Sequence, residues 1–582
     1  MAAPKRSSVK IDAIRLEVIR NRLTTIADEM AVSLQRSAYS TNIKTRRDHS
    51  CAIFDADVRM VAQSFSQPVH LGSLSHFVPR IVSEYGRNRL RLGDGILCND
   101  GYRGGNHLND ICLVSPVFHD GGIIAFVANI AHHLDVGGST PGSMFGHSTE
   151  ILHEGMRIPP TRLIANGAID TNIFNLFVNN VRAVRETAGD LRAQLASASV
   201  GQRRIVESVG KFGRKGLRQA MTQLLDYTEQ RTREEIRRII PDGIYSAEDF
   251  MDGDGNDETP AKVAVTIAVS KDGVVFDLAG SDPQRRGPIN ATYTMTLSCC
   301  AYALKALLSP DLPTNDGFYR VMKVVAPEGP VACASFPAPI GGGWETANRI
   351  TETAFQAFAK VIPERLAAGS KGCFTGICPA GLIPETNEYF AFFDSLCGGY
   401  GARATKDGID GIQAHGQNTE NAPIEETEAN YPVEIVRYEL IPNSEGPGRF
   451  RGGLGVRRDY RFRSDVTFSV MSDRAKFPPW GLMGGGTAAR FRIVLNPGAN
   501  EKVFGSKVSF PLTTADVVSV QNAGGGGFGS PLLRDPDQVA GDVRADRISV
   551  ERARSVYGVV IDRAGIRADL PSTSVLRSKM SA

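Results

Sequence analysis

Two short runs concentrate residue types that bind metals. GGNHLNDI, residues 104–111, places His107 three residues before Asp110, behind a pair of glycines. AHHLDVGG, residues 131–138, adds His132, His133 and Asp135. Imidazole nitrogens and carboxylate oxygens together suit a divalent transition metal that takes three or four protein donors and keeps one position for water or substrate. His107, Asp110 and His132 supply three donors, and Asp48 in RRDHS is the candidate for a fourth. Two histidines and two carboxylates without a thiolate suit zinc, manganese or iron. The blander reading is that Asp110 caps a turn, His107 and His132 are half-buried polar side chains, and Asp48 pairs with Arg46 or Arg47. Spacing alone does not choose between the two readings, because dispersed ligand sets are weak signals.

Nine of the ten histidines lie before residue 154, and only His415 follows. That distribution favours a site built in the first quarter of the chain. His132 and His133 are adjacent at a strand exit, where neighbouring side chains point to opposite sides. Only one of them is expected to ligate. His133 is then either a proton carrier behind the ligands or a packed residue.

The elements that must position these residues can be read from pattern. Residues 10–36 carry apolar side chains at a period near 3.6 and predict one long helix. Ser50–Phe54 and Met60–Ala62 predict a hairpin across DAD. Ile111–Phe118 and Ile123–Ile130 predict another across HDGG. A two-stranded hairpin brings its outer ends together, so GGNHLND and AHHLD fall at the same end of a sheet. Residues 184–240 read as mostly helical, with glycines at 201, 210, 213 and 216. Strands then alternate with helices near 297–308 and 346–361. Beyond 385, short strands lie between glycine-rich turns. The expected class is α+β: a large mixed multi-layer fold with a long N-terminal helix, antiparallel hairpins carrying the site, a central helical segment and a β-rich, glycine-rich C-terminal part. The corresponding boundaries are 1–183, 184–245, 246–384, 385–567, and a loose tail at 568–582.

Composition limits the function. The chain has 582 residues, 42% hydrophobic and 22% charged, with net charge +3 from 66 basic and 63 acidic residues. Such balance gives no electrostatic case for nucleic acid or an anionic membrane. The nine cysteines form no CxxC pair, which argues for reduced thiols in a cytoplasm rather than a disulfide framework. The opening MAAPKRSSVK lacks the apolar core of a signal peptide, and no window is long and apolar enough for a membrane span. GxSxG and GxxxxGK[ST] are both absent. Cys299 and Cys300 sit in an apolar run and read as core. LCGGYGA and GGGGFG read as tight turns rather than as phosphate loops.

Longer motifs carry a resemblance. IRLEVIRNRL, NIKTRRDHSCAIFDAD, PVHLGSL, GGNHLNDICLVSPVF and AHHLDVGGSTPGSM resemble the hydantoinase B/oxoprolinase family. So do GRFRGGLGVRRDY, DRAKFPPWGLMGGG, GGGGFGSPLLRDP and RARSVYGVV. The match runs from about residue 9 to residue 567. It implies one subunit of a two-component, ATP-dependent enzyme that opens cyclic amides such as hydantoins, 5-oxoproline and lactams, or carboxylates ketones such as acetophenone with bicarbonate. The implied partner is a hydantoinase A-type ATPase subunit that binds the ATP, in an (αβ)2 assembly. In lactam-hydrolysing relatives the implied metal ligands map onto Asp48, His107, Asp110 and His132, with zinc the leading metal. His133, or a carboxylate such as Glu150, is the expected proton carrier. A non-catalytic scaffold for the ATPase is the remaining alternative. Relatives often read HLPD where this chain reads HLND, with Asn109 in place of proline.

Overall fold

The computed structural model describes residues 11–581 except 65, 145, 499 and 563–566. The opening MAAPKRSSVK therefore lies outside the described residues. The fold is α+β, and the described residues build four sheets.

The first sheet carries the histidine-rich segments. Its strands are β1 (His49–Asp55), β2 (Met60–Gln63), β3 (Gly95–Cys98), β4 (Asp110–His119), β5 (Gly122–His132), β6 (Thr161–Ala165) and β7 (Ala168–Ile169), in the order β2-β1-β5-β4-β3-β6-β7. Every pairing in it is antiparallel. Both expected hairpins form. The second runs further than its apolar pattern suggests, because the ladder continues into the polar residues Asp110 and His132.

Both faces of this sheet are covered, so its strands read as near-continuous apolar runs rather than alternating ones. Leu113 and Val127 pack with Leu23 and Ile26 of α1 (Ala13–Ser37) and with Leu191 of helix Val184–Phe212. On the other face Cys112, Phe126 and Ile130 pack against Phe77 and Ile81 of helix Leu71–Tyr85. The central helical segment breaks only at Gly213, whose φ of +76° lies in the region that favours glycine. Gly201, Gly210 and Gly216 lie inside helices.

The second sheet has four strands. Met322–Val325 pairs in parallel with Gly273–Asp277, and Ala261–Ser270 and Gly243–Met251 follow antiparallel. Helices Tyr293–Lys305 and Gly343–Ala359 share its core, in which Cys299 and Cys300 are fully buried. The C-terminal region forms the two remaining five-stranded sheets. Its glycine-rich runs are not simple turns. Gly526 N–H donates to Gly369 O, and its own carbonyl accepts from Ala402. A Cβ at Gly526 would lie 1.9 Å from the carbonyl oxygen of Trp480. These glycines let irregular segments pack backbone against backbone.

The expected loose tail is ordered as far as Ser581. Leu570–Ser581 is a helix. Thr573 is buried and its Oγ1 accepts from Val560 N–H, while Arg577 donates to the carbonyls of Tyr557 and Arg534. Its residues are mostly polar and lack a strong apolar face, so these polar anchors leave no periodic signal. All nine cysteines are buried and free of disulfides. Among the described residues no helix is long and apolar enough to cross a membrane.

Candidate metal centre

Asp110 opens β4 and His132 closes β5, and the two are directly paired in the ladder. Opposed residues on one face of an antiparallel pair have Cβ atoms about 5 Å apart, so their side chains must meet. Asp110 Oδ1 lies 3.4 Å from His132 Nδ1. His107 enters from the preceding turn, in which Asp110 N–H donates to His107 O. Its Nε2 is also 3.4 Å from Asp110 Oδ1. Gly104, at φ +103°, closes the short 3-10 turn that leads into this segment. Asp48 precedes β1, and its carbonyl accepts from His132 N–H. That contact brings Asp48 Oδ2 to 3.9 Å from His132 Nδ1.

These spacings fit a metal. Donors about 2.1 Å from a tetrahedral zinc lie about 3.4 Å from one another. The donor atoms of His107, Asp110 and His132 all fall within 4.8 Å of one another and are buried. The set of two imidazoles and a carboxylate, with Asp48 at its edge, suits zinc, manganese or iron. Asp110 is held further by Asn106, whose Nδ2 donates to Oδ2 at 2.9 Å, and Asn106 is in turn fixed by Ser73.

The electrostatics follow from proximity. Burial works against charge on Asp110, but His107, His132 and His70 outweigh it and hold the carboxyl well below its usual range. Burial also disfavours charge on His107, yet Asp110 wins and raises it. For His132 burial prevails and lowers it.

The cavity beside this cluster is narrow, about 40 Å³, which is room for about two or three waters. Asp48, His107, Asp110 and His132 all line it. Two titratable residues that the sequence pattern does not single out line it as well. His70 places Nε2 3.8 Å from Asp110 Oδ2, and its Nδ1 bonds Ser50 Oγ at 2.9 Å. Glu345 accepts from the backbone N–H groups of Phe374 and Thr375 at 3.0 and 3.2 Å. Burial pushes Glu345 up to about 7, against the pull of Lys507. The remaining wall includes Trp344, Phe374, Met144, Met471 and Phe393. Trp344 meets His107 edge-on, and Phe393 lies over His132 at 5.1 Å.

The two expected proton carriers are elsewhere. His133 is fully buried on the opposite side of the strand, its Nε2 3.1 Å from Gln194 Oε1 of helix Val184–Phe212. Glu150 is 44% exposed and faces His153 at 3.5 Å. Neither lines the cavity. The carboxylate turned inward in that segment is Glu154, which accepts from Ile340 and Gly341 N–H and is pushed by burial up to about 8. Asn109 also gains a physical role. Its Nδ2 donates to the carbonyls of His133 and Gly142, at 2.9 and 3.3 Å, and ties the β5 exit to the loop beyond it. A proline side chain has no donor for either bond.

Comparison with known proteins gives a consistent match. Residues 12–531 match the family model described as hydantoinase B/oxoprolinase. A component of a putative D-/L-hydantoinase from Pseudomonas sp. strain NS671 is 33% identical, over 95% of this chain and 96% of that protein. The crystal structure of ATP-dependent caprolactamase from Pseudomonas jessenii superposes with a TM-score of 0.91 at 29% identity, over 98% of this chain and 100% of that one. The nucleotide-free structure of acetone carboxylase shares the fold, with a TM-score of 0.91 at 19% identity, over 98% of this chain and 83% of that one.

Proposed function

The chain belongs to the hydantoinase B/oxoprolinase family, and we propose that it is the metal-bearing hydrolytic subunit of an ATP-dependent cyclic amidase. The observation that carries this reading is the buried His107–Asp110–His132 cluster, with one nitrogen of each histidine 3.4 Å from Asp110 Oδ1, opening onto a cavity whose largely apolar walls also carry two further carboxylates, Asp48 and Glu345. A metal held by Asp48, His107, Asp110 and His132 would supply a Lewis acid next to the substrate carbonyl and lower the pKa of a nearby water. Zinc is the first choice, with manganese or iron as alternatives.

The chain's own residues supply the rest. Resonance makes an unstrained cyclic amide a poor electrophile. Phosphorylation of its carbonyl oxygen, with ATP held by a hydantoinase A-type partner subunit in an (αβ)2 complex, would provide a leaving group. The absence of a GxxxxGK[ST] motif from this chain fits that division of labour. Trp344, Phe374 and Met471 would hold the hydrocarbon part of the ring and exclude bulk water. The cavity is narrow, so a ring must displace some of these side chains on entry, and Met471 is the most adaptable of them. Glu345 replaces His133 and Glu150 as the proton carrier. It takes the proton of the attacking water and returns it to the ring nitrogen as the carbon–nitrogen bond breaks, which leaves an acyl phosphate; a second water then releases inorganic phosphate and the carboxylate. The buried free cysteines fit a reducing compartment such as the cytoplasm.

A second reading, a subunit of an acetophenone-type ketone carboxylase using bicarbonate, rests on the fold shared with acetone carboxylase. The co-expressed two-subunit complex, supplied with ATP and either lactams and hydantoins or ketones with bicarbonate, separates the two by product. An amino acid from a lactam, or an N-carbamoyl amino acid from a hydantoin, supports the amidase. A carboxylated ketone replaces it with the second reading. A scaffold role would leave turnover intact when the metal cluster is removed.

A further inference from the structure

Two methionines stand together in the wall of the metal cavity. Met471 closes strand Val466–Met471, and Met144 follows the 3-10 turn Pro141–Ser143. Both line the cavity, and both belong to one buried cluster with Leu134, Cys378 and Phe393.

Each methionine rests on a glycine that lines the same cavity. Gly376 opens strand Gly376–Leu382 and is directly paired with Met471 in the ladder. Opposed residues present their side chains on the same face, so no side chain stands opposite Met471. Met144 fills that space: a Cβ at Gly376 would lie 2.9 Å from Met144 Cε. Gly342 immediately precedes helix Gly343–Ala359 and also lines the cavity. A Cβ there would collide with Met471 Cε and approach the Pro288 carbonyl oxygen to 3.1 Å. The φ of Gly342 is −101°, which suits any residue. The seat of the Met471 methyl group, and not the backbone angle, is what a larger residue would disturb.

The other apolar wall residues are pinned. Trp344 is edge-on to His107 and packs against Phe374, with ring centroids 5.8 Å apart. Phe393 lies against His132, and the Arg46 guanidinium covers its ring at 4.8 Å. Arg46 is itself held by the Phe393 carbonyl, Asn42 and Ser395. Val69 is β-branched and stiff, and its N–H donates to Gly416 O. Methionine differs from all of these: it is unbranched, flexible and adapts to the shape beside it.

The cavity, about 40 Å³, holds about two or three waters, which is less than a ring. Room for a ring must therefore come from side chains that can move. Met144 and Met471 are the wall residues built to do so, and ring methylenes match their apolar methyl groups.

We infer that Met144 and Met471 set the size of the ring that this site accepts. The inference rests on the amidase reading and adds to it a rule for which rings enter. Shortening either methionine admits a larger ring, and pushing Met471 inward excludes it. In an apolar pocket one methylene is worth about 10- to 200-fold in discrimination, so the effect is large enough to read.

The test uses the co-expressed two-subunit complex with ATP and two pairs of rings, 2-pyrrolidinone with ε-caprolactam and hydantoin with 5,6-dihydrouracil. The readout is the ratio of kcat/KM for the larger ring to that for the smaller, within whichever pair the native complex opens. A ratio cancels any loss of folded or metal-loaded enzyme, which acts on both substrates alike. Met471→Ala and Met144→Ala should each raise the ratio at least tenfold. Gly342→Ala should lower it at least tenfold, because its Cβ drives the Met471 methyl group into the cavity. Adding Met471→Ala to Gly342→Ala should reverse that loss. Cys378→Ala, in the same buried cluster but outside the cavity wall, should leave the ratio within about twofold.

A ratio unmoved in both methionine variants overturns the inference. So does an equal shift in Cys378→Ala, or a Gly342→Ala effect that persists without the Met471 side chain. In each of these outcomes the native complex still opens a ring, and the amidase reading stands. A native complex that opens none of the four rings removes that reading, and the inference with it.

Discussion

Asp110 and His132 are the terminal pair of the β4–β5 ladder, and 3.4 Å separates Asp110 Oδ1 from His132 Nδ1 on the face turned to the cavity. Strand register alone brings these two donors together. His133, the next residue, is directed by the same register to the helix on the other side.

Metal content should follow that division. Purified His132→Ala and Asp110→Asn should each lose most of the bound divalent metal by elemental analysis, at least tenfold relative to the native protein. His133→Ala should keep its stoichiometry even though it unfolds earlier, because it empties a packed site. Retention of metal in His132→Ala, or its loss in His133→Ala, would reverse the assignment.

Glu345→Gln should keep its metal and lower kcat by about 10²-fold, the usual scale for a lost general base. Burial lifts this carboxyl to about 7, and a base acts only when ionised. Native kcat should therefore rise with pH across neutrality, and that limb should vanish in Glu345→Gln. A variant with native kcat and an unchanged pH profile removes Glu345 from the reaction.

The hairpin and its ligands are legible in the sequence because the information is local. Strand pattern pairs the ends, and three-residue spacing places His107 beside Asp110. Glu345 and Trp344 are not legible in this way. They sit on helix Gly343–Ala359, which is buried on nearly every side, so its composition does not mark one face as a site wall. Phe374 and Met471 reach the cavity only through the packing of the C-terminal sheets. His70 stands in the PVHLGSL motif, but its role emerges only from the 3.8 Å approach to Asp110. The helix Leu570–Ser581 escapes the sequence pattern for a related reason: it is held by polar anchors to distant backbone.

Asn109→Ala should lower stability by about 1–3 kcal/mol, since it leaves the buried His133 and Gly142 carbonyls without this donor. Metal content should be unchanged. Denaturant unfolding measures the first and elemental analysis the second. Full native stability would show that these bonds do not hold the β5 exit.

The Glu352–His415 pair should give the fold an acid-sensitive component. Glu352 is at about 2 in the folded chain against 4.5 for the ordinary side chain. The folded value is the lower one, so the stabilisation is complete above about pH 4.5 and is lost as pH falls through about 2. Glu352→Gln should be less stable at pH 7, because it leaves His415 and Arg474 without their carboxylate. It should also lose less stability than the native chain between pH 4.5 and 2. Calorimetric melting across that range measures the difference, and parallel curves would contradict it.

The most direct test of the metal cluster's role is ATP-driven turnover of a cyclic amide by the co-expressed complex carrying Asp110→Ala, followed by mass spectrometry of the product. The native complex should release the ring-opened amino acid. The variant should fold, bind its partner and release none. Ring opening at the native rate by a metal-free Asp110→Ala complex would contradict a role for this cluster in the reaction.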